Sequence, residues 1–96
     1  MEGKKLDQDK PRVDLVNPEF ILGVADVLTF GAKKYEPNNW QKVRDAQNRY
    51  YAAAQRHMLA WRKGEHIDPE SGLNHLYHAA CNMMFLSWFD KEQDNG

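Results

Sequence analysis

The chain is predicted to be all-α, with three main helices. Three observations carry that expectation. Apolar residues recur at helical spacing in three segments, and two Asx-Pro-Glu strings supply helix-start signals. No segment alternates apolar and polar residues as a half-buried strand does. Ninety-six residues make one domain, 1–96, small enough that a core built by a single copy is marginal.

Residues 1–16 form a polar arm. Within it, Asp9-Lys10-Pro11-Arg12 is stiffened by proline, so Lys10 and Arg12 project from an extended segment. Such an arm suits an anionic ligand, including one held by a neighbouring subunit; the structural alternative is a solvated terminus. The first helix is expected over 17–34. Asn17 caps it, Pro18 takes the first helical position, and Glu19 complements the dipole. Ile21, Val24, Ala25, Leu28 and Ala32 follow at helical spacing. Turn formers from Tyr35 to Asn39, before Trp40, end it.

The second helix is expected over 45–63. Tyr50, Ala54, His57, Met58 and Trp61 share one face, Arg62 and Lys63 suit the negative end, and Gly64 terminates it. Asp68-Pro69-Glu70 repeats the start signal and predicts a third helix over 69–89. Its apolar residues, from Leu73 to Phe89, cover more than one face, which predicts a homo-oligomer, a dimer or tetramer.

Composition excludes several classes. Thirteen basic residues nearly balance fourteen acidic ones, so net charge gives no grip on DNA or RNA. No apolar stretch approaches the roughly 18 residues of a membrane span. Met1 to Lys10 is too polar for a secretory signal. The single cysteine, Cys81, has no partner within the chain, as expected in a reducing cytoplasm.

The chemistry concentrates between Gly64 and Asn82. Glu65, Asp68 and Glu70 offer hard oxygen ligands, and His75, His78 and Asn82 project from one side of a helix at i, i+3 and i+7. Each has a structural alternative: Asp68 stands where a cap belongs, Glu70 complements a dipole, and the histidines satisfy core hydrogen bonds. Their crowding at one helix entrance exceeds what capping requires. On the second helix, His57 falls on the apolar stripe, and Arg56 is flanked by Ala53 and Ala60. A guanidinium there either snorkels to solvent or holds phosphate oxygens bidentately. Lys34, Tyr35, Asn39 and Trp40 add a cation, a phenol, an amide and a stacking surface for a base, although tryptophan after a turn also serves as a core anchor.

The strings DKPRVDL, VLTFGAKKYEPNNW and RHMLAWRKGEHIDPESGLNHLYHAACN resemble the small phage and bacterial dATP/dGTP diphosphohydrolases, MazZ-like relatives of the MazG-like all-α nucleoside triphosphate pyrophosphohydrolases. The resemblance spans roughly residues 5–86. It implies cleavage of a purine deoxynucleoside triphosphate, dGTP or dATP, to the monophosphate and pyrophosphate with Mg²⁺ or Mn²⁺. It also implies a MazG-like helical bundle completed by oligomerisation, in a phage-encoded protein acting in the host cytoplasm.

The expected site assigns Glu65, Asp68 and Glu70 to metal, and His57, His75 and His78 to proton transfer. Lys10, Arg12, Lys34 and Arg56 are assigned to phosphate, and Tyr35, Asn39, Trp40 and Asn82 to the nucleoside. The chain departs from the MazG pattern of ExxE followed by ExxD. Ala52, Ala53 and Arg56 stand where acids are expected, and the second slot falls near Ser71 and Asn74 or near His75 and His78. Either the loop acids take over the metal, or a mixed acid–imidazole set holds it. Two further readings stay open: a metal-dependent phosphohydrolase with other products, and a non-catalytic helical oligomerisation module.

Overall fold

Asparagine, proline and glutamate start the first helix as their chemistry requires. In the computed structural model, which describes residues 3–95, the Asn17 side chain accepts the Glu19 N–H at 3.0 Å, and α1 runs Pro18–Lys34. After a short 3₁₀ turn at Asn39–Lys42, α2 runs Ala46–Arg62, and α3 runs His75–Asn95. The fold is all-α. Among the described residues, the one β feature is an isolated antiparallel bridge between Ile67 and Asn74. No described helix is long and apolar enough to cross a membrane.

The third helix begins at His75, not at Pro69. Gly72 adopts φ +75, a left-handed conformation that a helix interior does not accept. The Asp68 N–H donates to the Leu73 carbonyl and the His75 N–H to the His66 carbonyl, both at 2.8 Å. Residues 66–75 therefore close a tight hairpin-like turn, and Pro69 and Glu70 form its tip. Asn74 caps the helix in place of Asp68, accepting the Leu76 N–H on its side chain at 2.8 Å. At the other end of the turn, Gly64 at φ +106 makes a Schellman ending for α2. The Glu65 N–H reaches the Ala60 carbonyl and the Gly64 N–H the Trp61 carbonyl, each at 3.0 Å.

Helix α3 is the spine, with α2 and α1 laid against it. The α2–α3 seam is aromatic at its outer end. Tyr50 packs on Phe85 with ring centroids 4.8 Å apart, and Trp40 stacks on Phe85 at 4.6 Å. The Tyr50 hydroxyl donates to the Trp40 carbonyl at 2.9 Å, fixing the loop between α1 and α2 to the seam. The α1–α3 contact is closer and thinner. The Cys81 thiol donates to the Val24 carbonyl, and the Phe20 ring meets Tyr77 edge-on at 5.6 Å.

The fully buried apolar set is small: Val27, Ala46, Ala54, Ala79 and Cys81. The Cα radius of gyration is 16.6 Å, whereas a compact chain of this length measures about 12–13 Å.

Gly23 is where α1 and α3 touch most tightly. A Cβ there would lie 2.5 Å from the Tyr77 ring. Gly23→Ala is expected to displace that ring and cost about 1–3 kcal/mol of stability, as overpacking does. Gly31 has nothing within 4 Å of its would-be Cβ, so Gly31→Ala should leave stability unchanged or raise it by about 0.5–1 kcal/mol. Urea unfolding of the two variants checks the contrast.

Candidate active site

The left-handed backbone at Gly64 and Gly72 turns the α2–α3 connection back over the start of α3. That reversal delivers Glu65 and Asp68 to the histidines. Nδ1 of His57, on α2, lies 2.8 Å from Nδ1 of His75, on α3. Nε2 of His75 lies 2.8 Å from a Glu65 carboxylate oxygen. His78, one turn further along α3, stacks on the His57 ring with centroids 4.5 Å apart. Ser71 ties the turn together: its N–H and O–H both donate to Asp68 Oδ2, at 2.9 and 2.7 Å, and its oxygen lies 2.7 Å from His78 Nε2.

Electrostatics follows from this crowding. Burial first, then the adjacent His78 and His75 rings, push the His57 imidazole down to about 4. Burial also lowers His78, against the opposing pull of Asp68. Burial works to raise the Asp68 carboxyl, but the Ser71 hydroxyl and amide outweigh it and hold the group below its ordinary value. The site thus pairs an ionised carboxylate with neutral imidazoles. His57, Asp68 and His75 each offer a ligand atom within 4.8 Å of the others, so the assembled group is of the mixed acid–imidazole kind.

His57, Asp68 and His78 line a cleft of about 1100 Å³ between the end of α1 and the α2–α3 pair. Most of the residues assigned to the nucleotide line it, including Lys34, Tyr35, Asn39, Arg56 and Asn82. Among the described residues, no carboxylate pairs with the Arg56 guanidinium. Lys34 is bound to Glu70, which joins the end of α1 to the tip of the turn. The Lys34 ammonium also lies 5.4 Å from the Tyr35 ring centroid. Asn82 is buried and donates to the His78 carbonyl.

The three acids assigned to metal have three different partners. Glu65 meets His75, Glu70 meets Lys34, and Asp68 alone joins the imidazole group. Trp40 lines the cleft, but its ring stacks on Phe85 and meets Trp88 edge-on at 5.3 Å, so the anchor role suggested by its place after a turn is present. Lys10 and Arg12 do not line the cleft; Arg12 forms an exposed pair with Asp14 at 2.7 Å. Ser71 was not among the expected site residues. Its one signal in the sequence is its place beside Gly72, in the turn that follows Asp68.

Residues 1–96 match the family described as dATP/dGTP diphosphohydrolase, N-terminal. A Salmonella phage PMBT28 protein named dATP/dGTP diphosphohydrolase is 41% identical over 88 residues, covering 92% of this chain and 30% of the phage protein. The chain thus spans less than a third of that relative's length. No solved structure matches. With every residue of the chain inside the family match, the protein belongs to the dATP/dGTP diphosphohydrolase N-terminal family.

Proposed function

We propose that the cleft is the active site of a metal-dependent diphosphohydrolase that converts dGTP or dATP to the monophosphate and pyrophosphate. One juxtaposition carries the reading: the Arg56 guanidinium, which has no carboxylate partner among the described residues, shares a cleft with His57 and Asp68 of the imidazole–carboxylate cluster and with the aromatic rim at Tyr35. The name of the phage relative supports the substrate class.

Arg56 binds non-bridging phosphate oxygens bidentately. Lys34, exchanging Glu70 for phosphate, supplies a second cation where charge builds on departing pyrophosphate. His57 and His78, neutral at physiological pH, are placed to accept a proton from attacking water, with His75 behind them. Tyr35, 63% exposed, offers a purine the free face that Trp40 lacks. Asn39 and the buried Asn82 supply amides to the nucleoside.

Of the two ions that the family resemblance implies, the donors suit Mn²⁺ better than a resident Mg²⁺. Mg²⁺ takes oxygen ligands, and here Glu65 and Glu70 are engaged while the remaining donors are imidazoles and Asp68. Mn²⁺ also favours oxygen but, as a first-row ion, accepts imidazole at the weak end of that series. His57, Asp68 and His75 would hold such an ion, which when bound would supply Lewis acidity toward phosphate and water.

The functional unit is a homo-oligomer. Phe20, Ile21 and Leu22 of α1 and Val13, Leu15 and Val16 of the arm are all exposed. A second copy covers such a surface and brings the Lys10–Arg12 arm over the neighbouring cleft. Light scattering at micromolar concentration is expected to give a multiple of 11.2 kDa; full activity at the mass of one chain refutes the oligomer.

Incubation with dGTP or dATP and Mn²⁺ should yield monophosphate and pyrophosphate, and chelation should abolish the reaction. Arg56→Ala should lower kcat/KM about 10²-fold, as loss of one transition-state donor does. Orthophosphate as the sole inorganic product overturns the reading. Stability should also depend on pH. Above about pH 6.5 the His57 ring is neutral whether folded or unfolded. Between 6.5 and about 4 the unfolded chain takes up a proton that the folded chain resists, so stability falls as pH falls through that window. Melting metal-free protein at steps from pH 7.5 to 4.5 checks this, and His57→Gln should flatten the slope.

A further inference from the structure

We infer that His57, Asp68 and His75 form one binding site for a first-row transition-metal dication, with Glu65 as the residue that positions the His75 ring. Mg²⁺ is excluded as its resident ion. The inference rests on the hydrolase reading for the ion's purpose, but its geometry stands on separate observations.

The first observation is a separation. Nδ1 of His57 and Nδ1 of His75 stand 2.8 Å apart. Two metal–nitrogen bonds of about 2.0–2.1 Å, meeting at a right angle, hold their nitrogens about 2.9 Å apart. The two rings therefore already present donors at the spacing of adjacent ligands on one ion. The carboxylate of Asp68 brings a third donor within 4.8 Å of a ring nitrogen of each histidine.

The second observation is proton placement. His75 is 4% exposed, so its ring nitrogens must find partners inside the protein. Glu65 accepts from Nε2, which leaves Nδ1 with its lone pair facing His57. A metal-bound histidine has this arrangement: the far nitrogen donates to a carboxylate and the near one coordinates. Asp68 is prepared in the same way. Among the described residues, both hydrogen bonds to its carboxylate come from Ser71 and fall on Oδ2. Oδ1 accepts no hydrogen bond among the described residues, so one carboxylate oxygen is free to coordinate.

The third observation is chemical type. Two imidazoles and one carboxylate suit the first-row transition ions, whereas Mg²⁺ demands oxygen. Glu70, the other acid on the turn, is drawn away by Lys34.

Titrating metal-stripped full-length chain with Co²⁺ tests the site by its visible d–d bands. One Co²⁺ per chain is expected, displaced by Zn²⁺, displaced by Mn²⁺ only in large excess, and unaffected by millimolar Mg²⁺. His57→Gln and His75→Gln should abolish the bands. Glu65→Gln, which keeps every ligand, should weaken binding about 10–100-fold, as loss of an outer-shell carboxylate does. His66→Gln, whose ring stacks on Trp61 outside the site, should bind as the parent does, and circular dichroism confirms that each variant keeps its helices. Absence of d–d bands in the parent, or equal binding by His57→Gln, overturns the site and assigns the 2.8 Å contact to a plain N–H···N hydrogen bond. Co²⁺ binding without turnover of dGTP or dATP leaves the site standing and removes the hydrolase reading. Turnover with Mg²⁺ alone, in protein that binds no Co²⁺, does the reverse.

Discussion

The candidate site depends on the reversal of the chain between α2 and α3, which two backbone positions make possible. Gly64 at φ +106 and Gly72 at φ +75 lie where a side chain on Cβ is disfavoured. Together they fold residues 66–75 back on themselves, locked by the hydrogen bonds from Asp68 to Leu73 and from His75 to His66. In a continuous helix, Asp68 would stand about 10 Å along the axis from His75. In the folded turn, their ligand atoms come within 4.8 Å of each other. The same reversal sets Glu65 against the far side of His75 and Glu70 against Lys34. Three carboxylates adjacent in sequence thereby receive three different electrostatic tasks.

The start of α1 was legible because its determinants are local. Asn17, Pro18 and Glu19 act on their own first turn, and no distant residue is needed to complete the cap. Asp68, Pro69 and Glu70 carry the same local signal but sit in a turn, because Gly72 and the Ile67–Asn74 bridge compete for the same backbone. Gly72 falls inside the expected helix 69–89, and Asn74 supplies the cap that was assigned to Asp68. The preference between two caps depends on pairing with residues before the turn, which spacing within one helix does not report. The site divides in the same way. That His57, Asp68 and His75 are chemically able residues was readable from their types. The pairing of His57 with His75, or of Lys34 with Glu70, is a property of tertiary packing across 18 and 36 residues.

The packing explains how so small a core holds this arrangement. Outside the site, burial falls mainly on small side chains, and the larger aromatic rings pack in the half-buried seam around Phe85. That seam and the imidazole cluster lie at opposite ends of the same α2–α3 interface, so α2 is pinned at both ends. Helix α1 has no comparable grip. It is held near Tyr77 and Cys81 and, at its last residue, by the Lys34–Glu70 pair. Both groups of that pair are exposed, so solvent screens their attraction and the pair adds little to stability. Such a contact is suited to exchange: a phosphate oxygen can replace Glu70 at the Lys34 ammonium without breaking buried structure.

Charge explains why imidazoles suit this cleft. On the proposed function, a triphosphate would bring several negative charges into a space lined on one side by low-dielectric aromatic packing, where like charges repel more strongly than in water. Each further unpaired carboxylate facing the phosphates would add to that repulsion. Neutral imidazoles donate lone pairs without adding negative charge, and burial keeps His57 and His78 in that neutral form. The acids that remain are largely compensated: Glu70 by the Lys34 ammonium, Glu65 by the His75 N–H, and Asp68 by two Ser71 donors. Arg56 then faces the cleft with its full positive charge, with no carboxylate among the described residues to share it. In a chain with a net charge of −1, the cleft lining sets Lys34, Arg49 and Arg56 against Glu36, Asp68 and Glu70, and pairing of the acids leaves Arg56 as the group best placed to meet an anion.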